Sequence, residues 1–176
     1  MKNIVAIAGS NSRNSINKLF ISYVANKINS GVVSIFDLND FVLPLYSPDL
    51  QADFGIPEPA LRFNDLVQSA DGIILSLPEH NGSYSAAFKN LLDWNSRIDM
   101  KFWAGKPILL MAASPGGRGA INVLQTAAGH IPMFGGKIIS TFSLPSFYEK
   151  FKENELVDEE LNDVLLKSIL LFEKEI

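Results

Sequence analysis

The sequence predicts an α/β domain: a doubly wound sheet of five parallel strands in the order 2-1-3-4-5, with helices on both faces. Three observations carry that prediction. Apolar runs of strand length alternate five times with stretches of helical period, with no internal repeat and no linker. The first apolar run, Asn3–Ala8, opens at once into a polar loop, Gly9–Ser15, and then a helix. The third, Gly72–Leu77, opens into a turn of small and polar residues, Pro78-Glu79-His80-Asn81-Gly82-Ser83. In an open parallel sheet, ligands bind beyond the strand ends where the strand order reverses, so function is expected at these two loops.

Asn3–Ala8 is nearly continuous in apolar residues, as a strand covered on both faces requires. From Ile16, apolar residues recur at Leu19, Phe20, Tyr23, Val24 and Ile28, an amphipathic helix that Gly31 stops. Val32–Phe36 is the second strand. Asp37–Pro59 carries Pro44, Pro48, Pro57 and Pro59, too many for a regular element, and is expected to be a long loop serving function or an interface. Phe63, Leu66, Val67 and Ala70 mark the second helix, followed by the third strand, Gly72–Leu77. Within Leu77–Trp94 the turn gives way to a helix with Phe88, Leu91 and Leu92 on one face. Pro107–Ala113 is the fourth strand. The loop Ser114-Pro115-Gly116-Gly117-Arg118-Gly119 leads to a helix through Ile121, Leu124 and Ala128. Lys137–Phe142 is a less apolar fifth strand. The final helix, Glu155–Lys174, is acidic at its start and carries Lys167 and Lys174 later, as its dipole favours. Residues 1–176 read as one domain with flavodoxin-like strand order.

Composition narrows the function. Hydrophobic residues at 47% and charged residues at 19% describe a globular chain. A net charge of −4 gives no basic footprint, so neither nucleic acid nor an anionic membrane is an expected partner. No apolar run approaches the roughly 20 residues of a membrane span. The N-terminal apolar stretch ends at Gly9-Ser10-Asn11 and serves as a strand, not a leader, so the cytoplasm is the expected setting. Without cysteine there is no disulfide, no thiolate metal site and no thiol redox chemistry, and a redox function must rest on a cofactor. Two histidines and scattered carboxylates predict no metal site, and no acidic cluster stands ready to hold magnesium for phosphotransfer.

The loop Gly9–Asn17 joins the first strand to the first helix. A helix N-terminus presents unpaired N–H groups and partial positive charge, which suits a phosphate. Ser10, Ser12 and Ser15 add hydroxyls, Asn17 an amide and Arg13 a permanent charge, with Ile16 opening the helix. The plainer alternative is that Ser15 caps the helix and its neighbours are ordinary loop residues. The loop lacks both the Gly-x-Gly-x-x-Gly of dinucleotide folds and the Gly-Lys-Ser/Thr of nucleotide triphosphatases.

Taken together, Gly9-Ser10 with Ser15 and Asn17, Leu43-Pro44-Leu45-Tyr46, Ala70-Asp71-Gly72, and above all Pro78–Ser83 with Lys89-Asn90 and Asp93-Trp94 carry a family likeness. Over nearly its whole length the chain resembles the NAD(P)H-dependent FMN reductases, flavodoxin-like enzymes that include quinone, azo-dye and chromate reductases. The resemblance implies that FMN is the cofactor and NADPH or NADH the co-substrate. Its phosphate would fall to Ser10, Ser12, Arg13, Ser15 and Asn17. Pro78, Glu79, His80 and Asn81 would contact the ring, and Ser114 to Gly117 would line its other side. Backbone donors from Asn81, Gly82 and Ser83, or from Gly116 and Gly117, would stabilise charge on the reduced ring. Two departures stand out. The family usually has arginine where Ser12 stands, with Arg13 here one place later, and tyrosine where His80 stands.

On this reading a nicotinamide passes hydride to the flavin, and the flavin passes electrons to a small-molecule acceptor by ping-pong kinetics. No catalytic acid or base is required. His80 can donate a proton to an acceptor oxygen, but a turn residue packing against the ring or a partner subunit is the favoured reading. Glu79 can meet the ligand through its backbone while its carboxylate pairs elsewhere. His130 suits the dipole at a helix C-terminus, and Trp94, Phe102 and Trp103 suit core or interface. The resemblance also implies a homodimer or homotetramer with contacts from Asp37–Pro59 and Tyr84–Met100. Two other classes compete: an electron-carrying flavodoxin without a nicotinamide site, and an interaction module that has lost the cofactor.

Overall fold

Five parallel strands form the sheet in the order β2-β1-β3-β4-β5. They are β1 (Lys2–Ala8), β2 (Gly31–Asp37), β3 (Gly72–Leu77), β4 (Pro107–Ala113) and β5 (Lys137–Leu144). The computed structural model describes every residue from Met1 to Ile176. The order reverses beside β1: β1 pairs with β2 on one side, Ile4 opposite Val33, and with β3 on the other, Ile4 opposite Gly72.

Strand alternation divides the core. Val5, Ile7, Ile73, Leu75, Ile108 and Leu110 point to one face, where they pack on α3 (Glu58–Ser69), α4 (Ala86–Ile98) and α5 (Ile121–His130). Ile4, Ala6, Ile74, Leu109 and Met111 point to the other, under α1 (Ile16–Ala25) and α7 (Glu159–Glu173). Trp94, Phe102 and Trp103 are buried. The near-continuous apolar runs in the central strands follow from this two-sided burial.

Two expectations change. Asp37–Pro59 is not wholly irregular: a 3₁₀ turn spans Leu38–Asp40 and α2 spans Pro48–Phe54. Proline opposes a helix interior, but Pro48 stands in the first turn of α2, where no N–H is needed, and Ser47 caps that helix. Pro59 likewise falls within the first turn of α3. The last helix begins at Glu159, not Glu155. Phe151–Lys152 and Glu155–Leu156 form a small antiparallel hairpin, β6 and β7, turned by the left-handed residues Glu153 and Asn154. Asp158 then caps α7, its carboxylate accepting from Leu161 N at 3.0 Å. The short α6, Phe147–Lys150, falls between β5 and that hairpin.

The dispersed sequence likeness has a physical basis. Asn90 of α4 accepts from Tyr46 N at 2.9 Å and donates to Pro44 O at 2.9 Å, and Trp94 Nε1 donates to the same carbonyl at 2.8 Å. The Leu43–Tyr46 segment is therefore held by α4.

Candidate functional site

The loop between β1 and α1 is built around an open helix start. Ser15 caps α1, its hydroxyl accepting from Lys18 N at 3.3 Å, and no acidic residue occupies the first turn. The N–H groups of Arg13, Asn14, Ser15, Ile16 and Asn17 meet no acceptor in the protein. Buried Ser10 shapes the loop by accepting from Ser12 N at 3.2 Å. Gly9 lets the loop start close to the core: a Cβ there would lie 2.6 Å from Leu77 Cδ2. Ser85, the cap of α4, donates from its hydroxyl to Gly9 O at 2.8 Å, tying this loop to the next.

The second wall is the turn after β3. His80 and Ser83 exchange backbone hydrogen bonds of 2.9 and 3.1 Å across Asn81 and Gly82, whose φ angles are 51° and 78°. Positive φ at both central positions is the type I′ turn that Asn-Gly favours. It fixes His80, which is exposed, at the cleft rim.

Between these elements lies a cleft of about 230 Å³. Ser10, Ser12, Ser15, Ile16 and Asn17 line one side, Pro78, Glu79 and His80 the second, and Ser114 the third. Asn17 serves differently from expectation: its side chain is bonded to Ala113 and Ser76 and fastens α1 to the sheet. Arg13 is not in the cleft. It borders a separate outer pocket with Lys18 and Ser22, so no lysine or arginine lines the proposed phosphate side. Asn81 faces an adjoining pocket of about 400 Å³ with His80, Tyr84 and His130, while Gly82, Gly116 and Gly117 border neither. The N–H groups of Ser83 and Gly116 are engaged within their own turns, with His80 O and Ser114 Oγ. Those of Asn81, Gly82 and Gly117 find no acceptor in the protein.

Three lining residues lie outside those expected, Asn14, Ala113 and Tyr148, while Pro115 falls within the Ser114–Gly117 stretch. Asn14 and Ala113 adjoin predicted residues and were within reach of the same argument. Tyr148 was not, because it depends on α6 folding back after β5, with Phe147 N donating to Ser114 O at 3.0 Å.

The sequence signature of the NADPH-dependent FMN reductases matches residues 2–149. The chain belongs to that family. Among relatives of this FMN reductase family member, a 2-hydroxy-1,4-benzoquinone reductase from a Burkholderia species is 39% identical over 121 residues, 66% of this chain and 62% of the relative. The quinone reductase of Escherichia coli K12 is 31% identical over 114 residues, 64% of this chain and 60% of the relative. The matches thus span about three fifths of the length of these curated relatives. Among solved structures, the flavoenzyme NAD(P)H:acceptor oxidoreductase FerB from Paracoccus denitrificans superposes with a TM-score of 0.82 at 26% identity, covering 99% of this chain and 97% of FerB. An NADH:FMN oxidoreductase superposes at 0.76 with 20% identity, covering 100% of this chain and 90% of that one, a likeness of fold. No helix is long and apolar enough to cross a membrane.

Proposed function

We propose that this chain is an oxidoreductase that binds FMN in the cleft, takes reducing equivalents from NADPH or NADH, and delivers them to a quinone-like or other small acceptor by ping-pong kinetics. The observation that carries the reading is the open start of α1. Five consecutive N–H groups lack a protein acceptor, beside the hydroxyls of Ser10 and Ser12, at the point where the strand order reverses. Such a cradle fits a phosphate, because the donors are fixed before the anion arrives and the helix dipole favours its charge.

The residues present fit FMN. The N–H groups of Arg13–Asn17 and the hydroxyls of Ser10 and Ser12 hold the phosphate without a cation in the cleft. Pro78, Glu79 and His80 border the ring on one side, Ser114 and Pro115 on the other. The free N–H groups of Asn81, Gly82 and Gly117 are the donors left for polar edges of the ligand. Bound FMN would supply the two-electron redox chemistry, and the chain would supply position and hydrogen-bond donors. The relatives' names, which speak of quinones, FMN and NAD(P)H, support the choice of acceptor and reductant.

We further propose a homodimer or homotetramer, supported by the exposed apolar side chains of Leu45 on the segment that α4 holds, Val42 just before it, Phe54 at the end of α2 and Met133 beyond α5. Sedimentation velocity reads that state directly. For the activity, the purified protein is mixed with FMN, freed of excess by gel filtration, and titrated with NADH or NADPH without air. A retained flavin band that bleaches supports the reductase. Retained flavin that neither nucleotide reduces makes the chain an electron carrier, and no retained flavin sinks the flavoenzyme reading.

A further inference from the structure

Helix α5 begins without a cap of its own. The residue before it, Ala120, has φ 60° and gives no side-chain hydrogen bond, and the first turn holds no acidic residue. Gly119 before it is also left-handed at φ 60°. Glycine adopts this conformation freely but alanine does not. The loop holds it through Gly119 N, which donates to Gly116 O at 3.2 Å, and Ile121 N, which donates to Arg118 O at 3.3 Å. From outside, Ser143 Oγ donates to Gly119 O at 2.7 Å. The cap comes from Glu79, 43 residues earlier: its carboxylate accepts from Asn122 N at 2.9 Å, Asn122 Nδ2 at 3.0 Å and Val123 N at 3.1 Å. Arg118 extends the set by donating to Asn122 Oδ1 at 3.2 Å.

We propose that Glu79 is the positioning residue of the ring site, joining the turn after β3 to the start of α5 so that the two walls of the cleft keep one spacing. The inference rests on the reading of the cleft as a flavin site. Glu79 lies between Pro78 and His80, both of which line the cleft, and that turn is already rigid on its far side through the His80–Ser83 exchange. The other wall, Ser114–Pro115, belongs to the loop that ends in α5. Capping α5 from the opposite turn therefore closes a mechanical link across the cleft. Three donors on two carboxylate oxygens also commit the charge to the helix start, where the dipole favours it. Glu79 thus acts through the walls it holds, and the reacting atoms need no proton from it.

The test uses Glu79→Gln, which keeps the shape, removes the charge and turns one acceptor into a donor facing other donors. Two readouts are taken: amide hydrogen exchange of Asn122 and Val123 in the cofactor-free protein, and affinity for both FMN and riboflavin, which carries the ring without the phosphate. The expected result is faster exchange at both amides and about tenfold weaker binding of both flavins by a similar factor, as loss of charge-assisted hydrogen bonds implies. Asn122→Asp, which sets a second carboxylate against Glu79, opens the same link from the other side and should give the same pattern if the first variant folds poorly. Unchanged exchange overturns the link. Faster exchange with unchanged riboflavin affinity makes Glu79 a helix cap alone and overturns its role at the ring. A wild-type protein that binds neither flavin overturns the flavin reading and the ring role with it, while the exchange result still decides the link.

Discussion

Asn17 and Ala113, 96 residues apart, exchange a reciprocal pair of hydrogen bonds: Asn17 Nδ2 donates to Ala113 O at 3.2 Å and Ala113 N donates to Asn17 Oδ1 at 2.9 Å. The same Oδ1 accepts from the Ser76 hydroxyl at 2.8 Å. One buried side chain in the first turn of α1 thereby fixes the open end of that helix over the ends of β3 and β4.

Replacing Asn17 by alanine strands the Ala113 N–H and the Ser76 hydroxyl in a buried site. Each unpaired buried group costs about 1–3 kcal/mol, so a loss of about 3 kcal/mol is expected for Asn17→Ala. Urea denaturation reads it as a lower midpoint at unchanged slope. A loss within about 0.5 kcal/mol, ordinary for surface changes, would count against the fastening role.

The cleft separates Ser12 from Arg13. Ser12→Ala removes a hydroxyl on the phosphate side and should weaken FMN by about threefold to tenfold, the equivalent of one ordinary hydrogen bond, while leaving riboflavin unaffected. Arg13→Ala, outside the cleft, should change FMN affinity by no more than about twofold. Flavin fluorescence titration of both variants decides it. A larger loss from Arg13 would mean that its side chain enters the site when the phosphate binds.

Acid stability should report Asp37. Burial opposes ionisation of this carboxyl, but hydrogen bonds from Lys18 and Asn39 outweigh it, and the group titrates below its ordinary value of 3.8. A carboxyl whose folded value is lowered adds stability that is complete above its unfolded value and is lost as pH falls through the folded one. Wild-type protein should therefore lose stability as pH drops below about 4. Asp37→Asn should be less stable at neutral pH and show a shallower acid slope, measured by thermal melting across that range. Equal slopes would discount the Lys18–Asp37 pair.

Gly82 holds φ 78°, and a Cβ there would meet Asn122 Nδ2 at an ordinary 3.9 Å, so backbone strain dominates its replacement. Gly82→Val asks a β-branched residue to adopt a left-handed conformation, at about 1–2 kcal/mol or more. In a chain of this size that lowers the melting temperature by several degrees, about 2–4 °C per kcal/mol. It should also loosen His80, weakening both flavins together. A variant with unchanged melting and flavin binding would show that the turn does not depend on type I′ geometry.

The fold was legible because each of its rules is local. Central strands buried on both faces read as apolar runs, helices as a 3.6-residue period, and the two functional loops as breaks at strand ends. Where the reading failed, local signals misled. Prolines that begin helices at Pro48 and Pro59 look the same in sequence as prolines that forbid them. Glu155 continues an acidic run that suits a helix, but the turn at Glu153 and Asn154 puts it in a hairpin instead.

By itself the sequence determined the doubly wound sheet, its strand order, and which two loops meet where that order reverses. Periodicity and turn chemistry act between neighbours in the chain, so they are written there. Only the tertiary structure decided how side chains are spent once the loops meet. Asn17 turns to Ala113, Arg13 faces away from the cleft, and Tyr148 comes back to it. Glu79 caps a helix 43 residues downstream. Those outcomes depend on which donors and acceptors are left unpaired after the backbone has paired, and that account closes only in three dimensions.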